Sequence, residues 1–302
     1  MTMPIRIGLM SDLHLEVEEE YWDAIDRLEG RDERPELFAM LERRHALCEE
    51  WHHPGRGPDL RGLKDGGIDL LLLPGDIASG TDGIDYADLA ARYLKAPAFY
   101  SCGTRELHRH ERFRLARDLL KRAATTEGRV TFLERERADL DVRGRRVAIL
   151  GAMLFTDFAV NGDTGAGMAA ARSSLDDYRL ISYGGRRFLP LDALGVHQMT
   201  RAWLAEEIPR ARAEADVVIV MTHHPPIIEA CAPQHQGGDL APAFVSNMRA
   251  EIIHWQPDLW VWGHTHCSMT AEFGRTRLVS AQRGYVGEDD DAEYFEPAVI
   301  EL

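Results

Sequence analysis

Six side chains of the types that bind transition metals each follow an apolar, strand-like run: Asp12, His14, Asp76, His223, His264 and His266. Neutral imidazole is the commonest protein metal ligand, and a carboxylate beside it suits Mn, Fe or Zn better than Ca or Mg. Gly263-His264-Thr265-His266 follows Leu259-Trp260-Val261-Trp262, and Asp12-Leu13-His14 repeats the one-residue spacing after Ile5 to Met10. If the chain stays extended, alternate side chains point the same way, so His264 and His266 could serve one cluster. Gly263 leaves the backbone room to turn close to a metal. Alone, the two histidines fit exposed loop positions equally well; the other four residues at strand ends argue for metal chemistry. Two ions about 3.5–4 Å apart clamp the attacking and leaving oxygens of a phosphoryl displacement and acidify a bridging water. A structural site would instead be closed and usually rich in thiolate.

These residues need strands to carry them. Apolar runs predict strands at 4–10, 68–73, 98–101, 130–133, 139–142, 146–150, 216–221, 259–262, 270–273, 276–280 and 298–301. Helices are expected at 109–124, 168–175 and 196–213, and the alternation indicates α/β layers. Residues 17–67 read as a helical insertion. Leu37, Phe38, Leu41, Ala46, Leu47, Cys48 and Trp51 form an amphipathic face over 35–52, Pro54 to Pro58 ends it, and a loop runs to Gly66-Gly67. That insertion is expected to decorate the main domain, to cap the site or to form an oligomer contact. No repeat or long linker divides the chain, so residues 1–302 are expected to form one domain.

Net charge is −15, from 35 basic and 50 acidic residues, which argues against general nucleic-acid binding. A small phosphorylated substrate remains compatible, because bound cations would set the local field. Cys48, Cys102, Cys231 and Cys267 form no CxxC pair and read as free thiols in a reducing compartment. With no signal peptide or long apolar segment, a cytoplasmic protein that does not enter membranes is expected. Oligomeric state is not encoded in any pattern here.

In combination the motifs resemble the calcineurin-like metallophosphoesterase family, whose blocks are D-x-H, G-D, G-N-H-[ED], a histidine in an H-H-P-P setting, and G-H-x-H. Asp12-Leu13-His14, Gly75-Asp76, His223-His224-Pro225-Pro226 and Gly263-His264-Thr265-His266 stand in the family order. Gly151 to Phe158, Asp177-Tyr178-Arg179 and Arg283-Gly284-Tyr285 look like a bacterial branch. The resemblance implies two packed mixed sheets flanked by helices in α/β/β/α layers, and a hydrolase of small phosphodiesters or phosphomonoesters using a metal-bridging hydroxide. It implies two divalent ions, Mn, Fe or Zn. Asp12, His14, Asp76 and His266 would hold the first; Asp76, His223 and His264 the second, with His223 favoured over His224. Asp76, His223 and Arg105 are expected to carry catalysis.

One block departs: Gly103-Thr104-Arg105-Glu106 stands where the family reads G-N-H-[ED]. Thr104 offers the second metal only a neutral hydroxyl. Arg105 stays charged and cannot serve as general acid, yet it can fork onto a phosphate oxygen. Loss of a general acid costs about 10²–10⁴ in rate for a poor leaving group. His108 and His110 are the nearby replacements to consider; both also fit a solvated helix start. A relative with altered chemistry on a phosphorylated or phosphonate compound, and a non-catalytic binding scaffold, are the rival readings.

Overall fold

The computed structural model describes residues 3–17, 57–286, 289 and 292–302. Thirteen short strands lie among them: β1 (Arg6–Leu9), β2 (Leu70–Leu73), β3 (Ala98–Tyr100), β4 (Val130–Phe132), β5 (Glu136–Val142), β6 (Arg145–Ala152), β7 (Ser182–Tyr183), β8 (Arg186–Arg187), β9 (Val217–Thr222), β10 (Leu259–Trp262), β11 (Met269–Phe273), β12 (Thr276–Ser280) and β13 (Ala298–Glu301). One sheet runs β13-β1-β2-β3-β4, the other β11-β12-β10-β9-β6-β5, and β7-β8 is a small hairpin. The inner strands of each sheet are parallel, and β13, β11 and β5 join antiparallel at the edges.

Period-two alternation explains how two sheets stack. Ile7, Leu9, Leu70 and Leu72 meet Val217, Ile219, Met221, Leu259 and Val261 between the sheets. Their neighbours turn the other way: Leu71 and Leu73 pack under helices on one side, and Val218, Val220, Trp260 and Trp262 on the other. The result is the α/β/β/α architecture of two mixed sheets flanked by helices. Each fully buried aliphatic side chain contributes about 1.5–3 kcal/mol, so both faces of every inner strand must be apolar.

Nine α-helices lie among the described residues: α1 (Arg61–Gly66), α2 (Asp82–Leu94), α3 (Thr104–Leu107), α4 (Arg112–Ala124), α5 (Thr164–Ser174), α6 (Asp177–Leu180), α7 (Pro190–Glu214), α8 (Ala241–Phe244) and α9 (Arg249–Trp255). Capping sets several starts. The Glu111 carboxylate accepts from Arg114 N–H at 2.8 Å and Asp163 from Ala166 N–H at 2.9 Å. Helix α5 therefore begins before residue 168. Helix α7 begins before 196, at Pro190, where Asp192 accepts from Leu189 N–H at 2.9 Å.

Six helices differ from the sequence expectation. Residues 61–66, expected as loop, form α1, closed by Gly67 at φ 61°, whose N–H reaches Lys64 O. Helices α2, α3, α6, α8 and α9 are not among the expected elements. The buried face of α2 is Ile84, Tyr86, Ala87, Ala90, Ala91 and Leu94. The amphipathic stretch at 35–52, and Cys48 within it, lie outside the described residues. Cys102, Cys231 and Cys267 are free thiols. No helix among the described residues is long and apolar enough to cross a membrane.

Candidate metal centre

Ligands in open α/β sheets gather beyond the carboxyl ends of parallel strands, and here two such edges face one another. Asp12 and His14 follow β1, Asp76 follows β2, Thr104 and Arg105 follow β3, His223 follows β9, and His264 and His266 follow β10. Backbone hydrogen bonds lace these ends together. Asp12 N–H reaches Gly75 O at 3.1 Å, His14 N–H reaches Asp76 O at 3.1 Å, and Gly263 N–H reaches His223 O at 2.9 Å. Ser11 and Gly284, through Ala281 O and Asp12 O, tie the two sheets at this edge.

Two clusters result: Asp12 with His14 and His266, and Asp76 with His223 and His264, the ligand atoms of each lying within 4.8 Å of one another. His264 and His266 thus part company, contrary to the extended-chain expectation. Their φ values are 78° and 50°, so the chain coils after β10 instead of alternating. Asp12, His14 and Asp76 also have φ between 46° and 53°. Such left-handed non-glycine residues cost about 1–3 kcal/mol each and mark sites whose surroundings hold them in place. Close approach demands two glycines. A Cβ on Gly263 would lie 2.4 Å from Asp12 Oδ2, and one on Gly103 would lie 2.7 Å from His223 Cε1.

Charge is arranged around Asp76 and His223, whose Oδ2 and Nε2 are 3.4 Å apart. Burial pulls the His223 imidazole down, but the Asp76 carboxylate outweighs it and holds His223 up at about 10. Burial likewise opposes ionisation of Asp76, and His223 overrides it to keep the carboxyl well below its usual range. Burial depresses His264 and His224, and raises Asp12. Glu106 is fully buried, and burial followed by Asp76 pushes it to about 8. It accepts from Asp76 N–H (3.1 Å), Ile77 N–H (2.9 Å), Gly103 N–H (2.8 Å) and the Tyr100 hydroxyl. The glutamate of the departed block therefore pins the Asp76 turn to the Gly103 turn.

Both clusters open into one cavity of about 480 Å³, lined also by Thr104, Arg105, His108 and Tyr285. Thr104 heads α3 and is buried. Arg105 Nε meets the Tyr285 hydroxyl at 3.0 Å, and a second guanidinium nitrogen meets the same oxygen; the guanidinium has no other hydrogen-bond partner among the described residues. The Tyr285 ring lies 4.2 Å from that of His14 and 4.6 Å from that of His266. His224 turns against Phe155 and His264. His110 faces a separate groove with Arg109, Arg114 and Lys121. Sequence reading missed Asp289, which accepts from His266 Nδ1 at 3.0 Å and from Tyr285 N–H at 2.7 Å. Its acidic run reads as solvated surface, and no spacing links it to a ligand.

The family model described as Calcineurin-like phosphoesterase matches residues 5–268. The chain belongs to the calcineurin-like phosphoesterase family. No curated protein sequence matches it. A phosphopantetheinyl hydrolase from Mycobacterium tuberculosis shares the fold with a TM-score of 0.58 at 16% identity, over 100% of this chain and 97% of that one. A dimetal phosphatase from Danio rerio gives 0.49 at 12%, over 99% and 93%, and a putative 5'-nucleotidase from Staphylococcus aureus gives 0.46 at 15%, over 99% and 53%. At these values the first likeness speaks for the fold alone. As a calcineurin-like phosphoesterase the protein is a metal-dependent hydrolase of phosphate esters with a binuclear site for two divalent ions.

The donor set fits those ions. Among the described residues, the buried Asp12 Oδ2 and His264 Nε2 have no hydrogen-bond partner, an expensive state unless a cation is present. His14 Nε2 and His266 Nε2 face one another at 2.9 Å. Two nitrogens each about 2.0–2.1 Å from one ion at right angles would be about that far apart.

Two predictions arise here. A ligating imidazole must be neutral, so filling the second cluster must expel the proton that His223 carries below pH of about 10. Apparent affinity should therefore rise with pH towards 10, and metal-titration heats should vary with the buffer's ionisation enthalpy. Identical heats in all buffers would contradict this. Asp289→Asn should weaken the Asp12-His14-His266 position by about 10–100-fold, because carboxylates behind ligating histidines fix the ring and its basicity. A competitive chelator titration would read it, and an unchanged constant would remove Asp289 from the site.

Proposed function

We propose that the protein hydrolyses a small phosphodiester or phosphomonoester, with its phosphoryl group held between the two clusters and Arg105. Asp12, His14, Asp76 and His266 would hold one ion and Asp76, His223 and His264 the other, with Asp76 shared; the Thr104 hydroxyl, which lines the same cavity, would add a neutral oxygen to the second. When bound, the ion pair supplies an acidified water and withdraws charge from phosphoryl oxygens. The rest falls to the chain. Arg105 forks onto a phosphoryl oxygen and opposes the charge that builds there in the transition state. Tyr285 holds the guanidinium and covers the His14 and His266 rings, excluding water from that side. The acidic surface disfavours a long polyanion, which supports a small substrate.

The observation that carries this reading is a guanidinium in the cavity of the two clusters whose one hydrogen-bond partner among the described residues is a neutral hydroxyl. The test is hydrolysis of bis(4-nitrophenyl) phosphate and 4-nitrophenyl phosphate by protein stripped of metal and reloaded with Mn, Fe or Zn. Metal-dependent turnover of either ester is expected. Two bound ions per chain without turnover of either would overturn the proposal.

A further inference from the structure

With Arg105 permanently charged, the departing oxygen needs another proton source. Resting on the reading just given, we propose that His108, held by Asp177, is the general acid of this site. His108 caps the carboxyl end of α3, its N–H on Arg105 O at 3.2 Å, so the two residues stand one turn apart. Both line the cavity of the metal centre, beside Asp76 and Thr104. His108 Nε2 meets Asp177 Oδ1 at 2.8 Å, and both residues are buried. A buried carboxylate on one ring nitrogen fixes the tautomer and orientation of the imidazole. The ring makes no other hydrogen bond among the described residues, and Nδ1 is not among the fully buried, unpartnered atoms. Nδ1 is thus available to a ligand in the cavity. The turn carrying His108 is anchored on α6 and the strand after it: Arg109 N–H reaches Leu180 O, and Ser182 N–H reaches His110 O, each at 3.0 Å. The ring therefore has a fixed place.

The step balances without a redox change. The water oxygen bonds to phosphorus as the ester P–O bond breaks. The departing oxygen keeps the bond's electron pair and takes the Nδ1 proton; the proton shed by water goes to solvent, which later reprotonates His108. Asp177 exchanges no proton in this step and acts as a positioning residue.

His108→Gln keeps an N–H near the Nε2 position for Asp177 but has no proton to give. In metal-loaded protein, kcat/KM for esters with phenyl or alkyl leaving groups should fall about 10²–10⁴-fold, and for a 2,4-dinitrophenyl ester by less than about threefold. The plot of rate against leaving-group pKa should steepen. Metal content and affinity for inorganic phosphate should match the parent protein. Asp177→Asn should give a smaller loss of the same selective kind, and it serves as the test if His108→Gln does not fold. A loss equal across the series marks the pair as a structural pin and overturns the proposal, as does no loss at all. If the parent protein turns over none of these esters, including the activated one, the hydrolytic reading fails first and the acid with it.

Discussion

Asp76→Asn is expected to reduce both metal positions and to abolish hydrolysis, the largest effect of any single substitution here. Asp76 meets His223 directly and the pair stabilise one another's charge across 3.4 Å of buried space. Its carboxylate also acts on Asp12, whose carboxyl it helps to raise. An amide of the same shape still accepts from Arg105 N–H, which now reaches Asp76 Oδ1 at 2.8 Å, so the turn should survive. What disappears is the negative charge between the clusters. Losing several kcal/mol of transition-state stabilisation corresponds to a fall in kcat of about 10³-fold or more. Metal content by elemental analysis should drop below two ions per chain while the circular dichroism spectrum is unchanged. A variant that keeps two ions and full turnover would remove Asp76 as a bridge.

Arg105→Ala should cost about 10–100-fold in kcat/KM, the value of a charge-assisted contact of about 1.5–3 kcal/mol, with metal content untouched. The guanidinium makes no ligand contact, so occupancy is the control that separates substrate binding from damage to the centre. Arg105→Lys should recover part of the loss, since an ammonium supplies charge without the planar fork. Tyr285→Phe should produce a smaller defect in the same direction by freeing Arg105 from its anchor. Equal kcat/KM for the parent and Arg105→Ala on every ester tried would mean that phosphate does not reach the guanidinium.

Much of the chemistry is written in local sequence. A strand that is apolar on both faces and stops at a ligand residue states its own position, and β1, β2, β9 and β10 each do so. The departed Gly103-Thr104-Arg105-Glu106 block was equally readable, because residue type alone forbids proton transfer by Arg105. Sorting the ligands into two clusters was not readable from spacing. His264 and His266 share a motif, but their left-handed φ values send them to different partners, and those values depend on the turn that Gly263 makes against Asp12. Tyr285 on Arg105, Asp289 behind His266, and Asp177 behind His108 all join residues 23 to 180 positions apart. Glu106 matches the last position of the family's G-N-H-[ED] block in sequence, but its role as the post that holds the Asp76 turn comes from burial among Asp76, Gly103 and Tyr100. Local sequence determined which side chains stand at strand ends, because alternation and chain direction are properties of a few neighbouring residues. Which groups hold and orient them was decided only when two sheets packed edge beside edge, since hydrogen bonds and burial depend on distance in space and not along the chain.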